Sequence, residues 1–207
     1  MHSSVAAGIV EVATREEVDL VVLGTRGLGG FAHLLLGSVA EQVVRHAPCS
    51  VLTVGREAAE GALRHHGVVV ATDLSPAASP ALTLAADLAR ACSTRLTLLH
   101  VYDPKLPYPE PGSVQEAFGS PDEVRAALEA RATKALQREL GDLSAEAVVL
   151  PHARADEAIC DFLEERRAEL VVVATHGRSG LSRVRLGSVA ERLVRSAPCP
   201  VLTVRRG

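Results

Sequence analysis

Apolar residues along this chain fall into short unbroken runs, and most runs are followed by a stretch of helical periodicity. The clearest run, Val-Val-Val-Ala within residues 67–72, reads as a strand buried on both faces. Asp73 closes it, and then Ser75 at an N-cap position and Pro76 at the first helical position predict a helix over 76–92. Residues 95–101 read as a second strand. Pro104, Pro107, Pro109, Pro111 and Pro121 mark 103–122 as an irregular excursion, and a helix over 123–140 restores the pattern. A strand at 145–150, a helix at 156–167, a strand at 170–174, a glycine-bearing loop, a helix at 188–195 and a strand at 201–204 complete the series. Alternation of this kind requires βαβ crossovers, so the expected fold is α/β: an open parallel five-stranded sheet with helices on both faces.

The chain also repeats itself. Sliding it by 150 residues aligns 20–54 with 170–204, with about 21 of the 35 positions identical, which makes it an internal duplication. The shared text runs from Leu-Val-Val through Thr-x-Gly-x-x-Gly and Leu-Gly-Ser-Val-Ala-Glu to Val-Leu-Thr-Val. The first copy supplies a helix near 5–17, strands at 20–23 and 51–54 and a helix near 38–45, and nothing like residues 67–154. It therefore reads as a module truncated at its N-terminus, occupying 1–55. Residues 56–66 are small and polar and read as a linker, and 67–207 form a complete module. Two full modules of ordinary size would be a tight fit in 207 residues.

Composition narrows the class. Hydrophobic residues make up 47% of the chain but aromatics only 2%, so the core must be aliphatic. The net charge of −3 and the scatter of Lys and Arg among acids argue against nucleic acid as a partner. No run suits a membrane span or signal peptide, so no membrane partner and a cytoplasmic location are expected. Cys49, Cys92, Cys160 and Cys199 lie far apart and read as buried free thiols rather than metal ligands or a redox pair.

The residues able to carry chemistry collect in the loop after the fourth strand of the complete module, Ala174-x2-Gly177-x9-Gly187-Ser188. In open α/β sheets, ligands sit beyond the carboxyl ends of the strands. Glycines there let backbone amides approach a phosphate, and the helix starting near Ser188 adds its unpaired N–H groups and positive dipole end. The same residues admit a plainer reading, since Ser188-x-x-Glu191 and Ser38-x-x-Glu41 both match a capping box. The first copy carries the full Gly24-x2-Gly27-x9-Gly37-Ser38.

That spacing resembles the G-x2-G-x9-G-S/T motif of nucleotide-binding members of the universal stress protein family, whose fold is adenine-nucleotide α-hydrolase-like. Asp73 within Val-Ala-Thr-Asp-Leu-Ser and the strand end Leu-Leu-His-Val-Tyr-Asp at 98–103 match that family's pattern too. Ala174 departs from the motif by one methyl group. The resemblance implies that Asp73 contacts the ribose or adenine side of ATP, that the backbone of Val101 meets the adenine edge, and that Ala71 and Thr72 line the base. Gly177, Gly187, Ser188 and Val189 would surround the phosphates, with His176 near them and Ala174 at the motif's first position, and Mg2+ would accompany the nucleotide. In the first copy, Gly24, Gly27, Gly37 and Ser38 would form only a partial second site.

The resemblance also implies that the last strands of the two copies pair about a twofold, Val51 to Val54 beside Val201 to Val204. The incomplete copy would then end in an exposed sheet edge that invites self-association. The function it implies is nucleotide-dependent regulation or stress protection, with a structural module that has lost nucleotide binding as the alternative. No positioned carboxylate, Walker lysine or nucleophile–base pair points to fast hydrolysis; slow turnover stays open. His65 and His66 read as a solvated pair, and the excursion as a surface loop or a lid over the nucleotide.

Overall fold

The computed structural model describes residues 4–25, 37–55, 67–105, 120–139, 144–175 and 186–205. Gly27, His176 and Gly177, the linker at 56–66 with His65 and His66, and most of the proline-rich excursion lie outside these described residues.

The aliphatic runs become strands β1 (Leu20–Gly24), β2 (Ser50–Val54), β3 (Val68–Ala71), β4 (Leu96–Tyr102), β5 (Ala145–Pro151), β6 (Leu170–Ala174) and β7 (Val201–Val204). β3 and β7 are buried at every position, as uninterrupted aliphatic runs in a doubly covered sheet should be. The helices are α1 (Val5–Arg15), α2 (Ser38–His46), α3 (Ser79–Ala91), α4 (Pro121–Glu139), α5 (Ala155–Glu165) and α6 (Ser188–Ser196). The single helix expected over 76–92 is split into a 3-10 turn, Pro76–Ala78, followed by α3. Pro80, in the first turn of α3, has no N–H to donate backward.

One seven-stranded sheet has the order β1-β2-β7-β6-β3-β4-β5. Every neighbouring pair is parallel except β2–β7. Strands β7-β6-β3-β4-β5 are the expected five-stranded parallel sheet, and β1-β2 extend it. Residues 20–54 and 170–204 follow the same β–α–β path, and their last strands pair within the chain, with Val51 opposite Thr203, Leu52 opposite Leu202 and Thr53 opposite Val201. Leu52 and Leu202 are repeat equivalents, so the register itself is two-fold.

The buried hydroxyls obey the same symmetry. Thr53 Oγ1 donates to the Val201 carbonyl at 3.2 Å and Thr203 Oγ1 to that of Val51 at 3.0 Å. Over the seam, Arg45 contacts Glu41 and Glu191 at 3.1 and 3.0 Å, and Arg195 contacts the same two at 2.9 and 3.2 Å. These pairs are half-exposed, worth about 0–1 kcal/mol each, and set register more than stability.

Two aliphatic layers sandwich the sheet. One face packs against α1, α2, α5 and α6 through residues such as Val43, Phe162 and Leu193. The other packs against α3 and α4 through the alanines of α3 and Leu128 and Leu136 of α4. Gly67, entering β3 at φ +100°, is required as glycine: a Cβ there would meet the Arg95 carbonyl at 3.0 Å. Among the described residues, no helix is long and apolar enough to cross a membrane.

Candidate functional site

The carboxyl ends of β3, β4 and β6 and the start of α6 enclose a crevice of about 190 Å3. β3 runs into it with Ala71, Thr72 and Asp73, β4 contributes Val101, β6 contributes Ala174, and α6 contributes Gly187, Ser188 and Val189. Eight of the ten residues singled out in the sequence therefore share one cavity, and the other two, His176 and Gly177, lie outside the described residues. Of the partial second site, Gly24 ends β1 and Gly37 precedes α2, while among the described residues no strand stands across from them as β3 and β4 stand across from α6.

The turn that presents Asp73 is fixed by its own side chains. Thr72 Oγ1 accepts from the Leu74 amide and Asp73 Oδ1 from the Ser75 amide, both at 3.0 Å. They hold Leu74 at φ +60°, a left-handed conformation that costs a non-glycine residue about 1–2 kcal/mol. Beneath the turn, buried His100 lies with Nδ1 2.8 Å from the Thr72 carbonyl, which can only accept, so Nδ1 carries the proton. The sequence shows His100 only as part of a strand end.

At the start of α6 the capping-box reading fails. The N-cap is Gly187, Ser188 is already helical, and no side chain caps the helix. Glu191 turns outward to Arg45 and Arg195 instead. The same holds in the first half, where Gly37 is the N-cap of α2 and Glu41 joins the same arginines.

The Gly187 amide donates to the Thr175 carbonyl at 2.8 Å, so it is not a free donor toward the crevice. The next three amides, of Ser188, Val189 and Ala190, have no intrahelical partner and no acceptor among the described residues, and they sit at the positive end of the helix dipole. Nothing in the fold demands glycine at 187: its φ is −60°, and an added Cβ would make ordinary contact with Thr175 O at 3.4 Å. Glycine there adds no side chain beside three amides that have no acceptor among the described residues.

Several lining residues were not singled out in the sequence. Leu99 and Val173 floor the crevice, and Ala155 and Ile159 wall it from the first turns of α5. Beside them Asp156 Oδ1 accepts from Arg192 at 3.0 Å and Oδ2 from Arg154 at 3.1 Å. Burial pushes this carboxyl up, but the two arginine hydrogen bonds outweigh it and hold it below the usual aspartate range. Asp156 thereby ties the start of α5 to α6 at the rim.

The thiols stay out of the chemistry. Burial pushes Cys199 up to about 12 and raises Cys49 and Cys160. The expectation of four buried cysteines holds at Cys199 alone: Cys49 and Cys160 are only partly buried, and Cys92 is exposed at the C-cap of α3. Among the described residues, no group of three His, Cys, Asp or Glu is placed to hold a metal.

The universal stress protein family model matches residues 2–55 and 65–205. A universal stress protein of Mycobacterium tuberculosis strain H37Rv is 34% identical to this chain, over 99% of its length and 64% of the relative's. The chain thus spans less than two thirds of that relative. Among solved structures, a universal stress protein from Archaeoglobus fulgidus superposes with a TM-score of 0.70 at 23% identity, covering 98% of this chain and 67% of that one. A universal stress protein in complex with cAMP superposes with a TM-score of 0.50 at 24% identity, covering 69% of this chain and 98% of that one. The structural likenesses speak to the α/β fold, while the family match runs through both halves of the repeat: the chain belongs to the universal stress protein family.

Proposed function

We propose that the crevice at the carboxyl ends of β3, β4 and β6 binds ATP, and that the nucleotide governs the conformation or association of a regulatory, stress-protective protein. The observation that carries this reading is the convergence, on one cavity, of the Asp73 carboxylate with three amides at the start of α6 that have no acceptor among the described residues. The two ends suit the two ends of a nucleotide. Asp73 is an acceptor for ribose hydroxyls, the aliphatic walls at Ala71, Val101 and Ile159 suit a flat base, and the helix start suits phosphate.

At about 190 Å3 the crevice falls below the range of about 300–1,000 Å3 usual for a whole ligand, so it encloses the nucleoside and leaves the phosphates over α6. Asp73 is the only acidic side chain lining it among the described residues, so a divalent cation would draw its remaining ligands from phosphate and water. The cAMP complex of a fold neighbour supports an adenine ligand of this class.

The small volume also favours a second reading, a module of this fold that binds no nucleotide. Isothermal titration with ATP separates the two. The expected result is about one site per chain, weakened at least tenfold by Asp73→Ala and by Gly187→Val, which the ordinary contact at Thr175 O lets fold. No heat of binding, or equal binding in both variants, selects the second reading.

A further inference from the structure

Residues 75–79, Ser-Pro-Ala-Ala-Ser, put small side chains where the chain enters α3, and α4 answers with Ala135. Elements that approach each other through residues of this size leave space that nothing in the chain fills. A second cavity, of about 640 Å3, lies there on the α3–α4 face of the sheet, over Leu82 and Leu98. It is larger than the crevice described above and falls within the range of about 300–1,000 Å3 usual for a whole small-molecule ligand. Thr72 and Ala78 line both cavities, so the turn that presents Asp73 stands between them.

Two observations say what this cavity takes. Ser75 is the N-cap of the 3-10 turn Pro76–Ala78, yet its side chain caps nothing. It is 9% exposed and lines the cavity, and its Oγ has no hydrogen-bond partner among the described residues. A buried hydroxyl in that state is costly unless something else in the cavity bonds to it. The second observation is charge. Arg131, Lys134 and Arg138 line the same cavity from successive turns of α4, against one carboxylate, that of Glu139, among the described residues. We propose that the cavity is a second ligand site, for a small amphipathic carboxylate. The aliphatic body lies over Leu82 and Leu98, the carboxylate sits among the cations of α4, and Ser75 Oγ donates to a ligand oxygen. This inference is independent of nucleotide binding.

Isothermal titration of the full chain with decanoate, and with decanol as the neutral control, tests it. Expected is saturable decanoate binding, at least about tenfold tighter than decanol and weakened about tenfold or more by Lys134→Glu combined with Arg138→Glu, both at exposed positions. Ser75→Ala separates a ligand site from a packing defect: it should weaken decanoate about threefold or more, while the melting temperature of the ligand-free chain rises or stays unchanged, because the hydroxyl removed has no partner there. In NMR spectra the amides of Ser75, Lys134 and Ala135 should shift with decanoate, while those of Ser188, Val189 and Ala190 stay in place. No saturable binding, equal affinity for decanol, full affinity in Ser75→Ala, or shifts at Ser188 to Ala190 instead would each overturn the proposal.

Discussion

The two halves of the repeat agree at about 21 of 35 positions, fold along the same β–α–β path and even share the glycine-to-threonine hydrogen bond at the helix start, Gly37 to Thr25 and Gly187 to Thr175, both at 2.8 Å. Yet among the described residues the second half alone faces the end of β3 and the turn that carries Asp73. Local sequence thus sets local geometry, including an open helix N-terminus, while the neighbours decide whether that geometry becomes a site. Under the proposed function, the first half then holds half a cradle.

The sharpest break of this comparison uses one substitution at equivalent positions. Val172→Ala removes fully buried methyls between β3 and β7 and should cost about 2 kcal/mol, whereas Val22→Ala on exposed β1 should stay within about 0.5 kcal/mol. Urea unfolding midpoints of the two variants measure the difference. Equal costs would mean that β1 is covered in solution.

A smaller effect belongs to Asp156, whose repeat equivalent is Ala6, so the tie between its helix and the next exists only in the second half. Asp156→Ala should cost about 1–2 kcal/mol at pH 7, the arginine partners being largely exposed. The folded carboxyl titrates below its unfolded value of about 4, so its contribution is fully present above that pH and is lost as pH falls through the lower, folded value. Denaturant curves of variant and parent should draw together as pH falls below the unfolded carboxylate value and through the lower, folded one; a gap that stays constant down the acid range would show that the loss is one of packing alone.

The strands were readable from the sequence because runs such as Val68 to Ala71 are buried on both faces, and such runs leave little choice of role. The pairing of the last strands was foreseen through the family resemblance, and the structure realises it at Leu52 and Leu202. The capping boxes were misread for a physical reason. Ser-x-x-Glu is a local pattern, but Glu41 and Glu191 have better partners in two arginines that meet only across the seam between helices 150 residues apart. Ile159 falls inside the helix expected at 156–167 and Ala155 just ahead of it, and nothing in the sequence says which strand ends they overhang. Likewise His100 is one residue of a strand until the fold sets Nδ1 against the Thr72 carbonyl.

The account's central claim is that one of two near-identical helix starts holds a nucleotide and the other does not. Backbone amide chemical shifts followed by NMR during an ATP titration test it directly. The amides of Ser188, Val189 and Ala190 should move together with that of Asp73, in one saturating transition, while those of Ser38, Val39 and Ala40 stay in place. Shifts of equal size at both helix starts, or none at either, would contradict it.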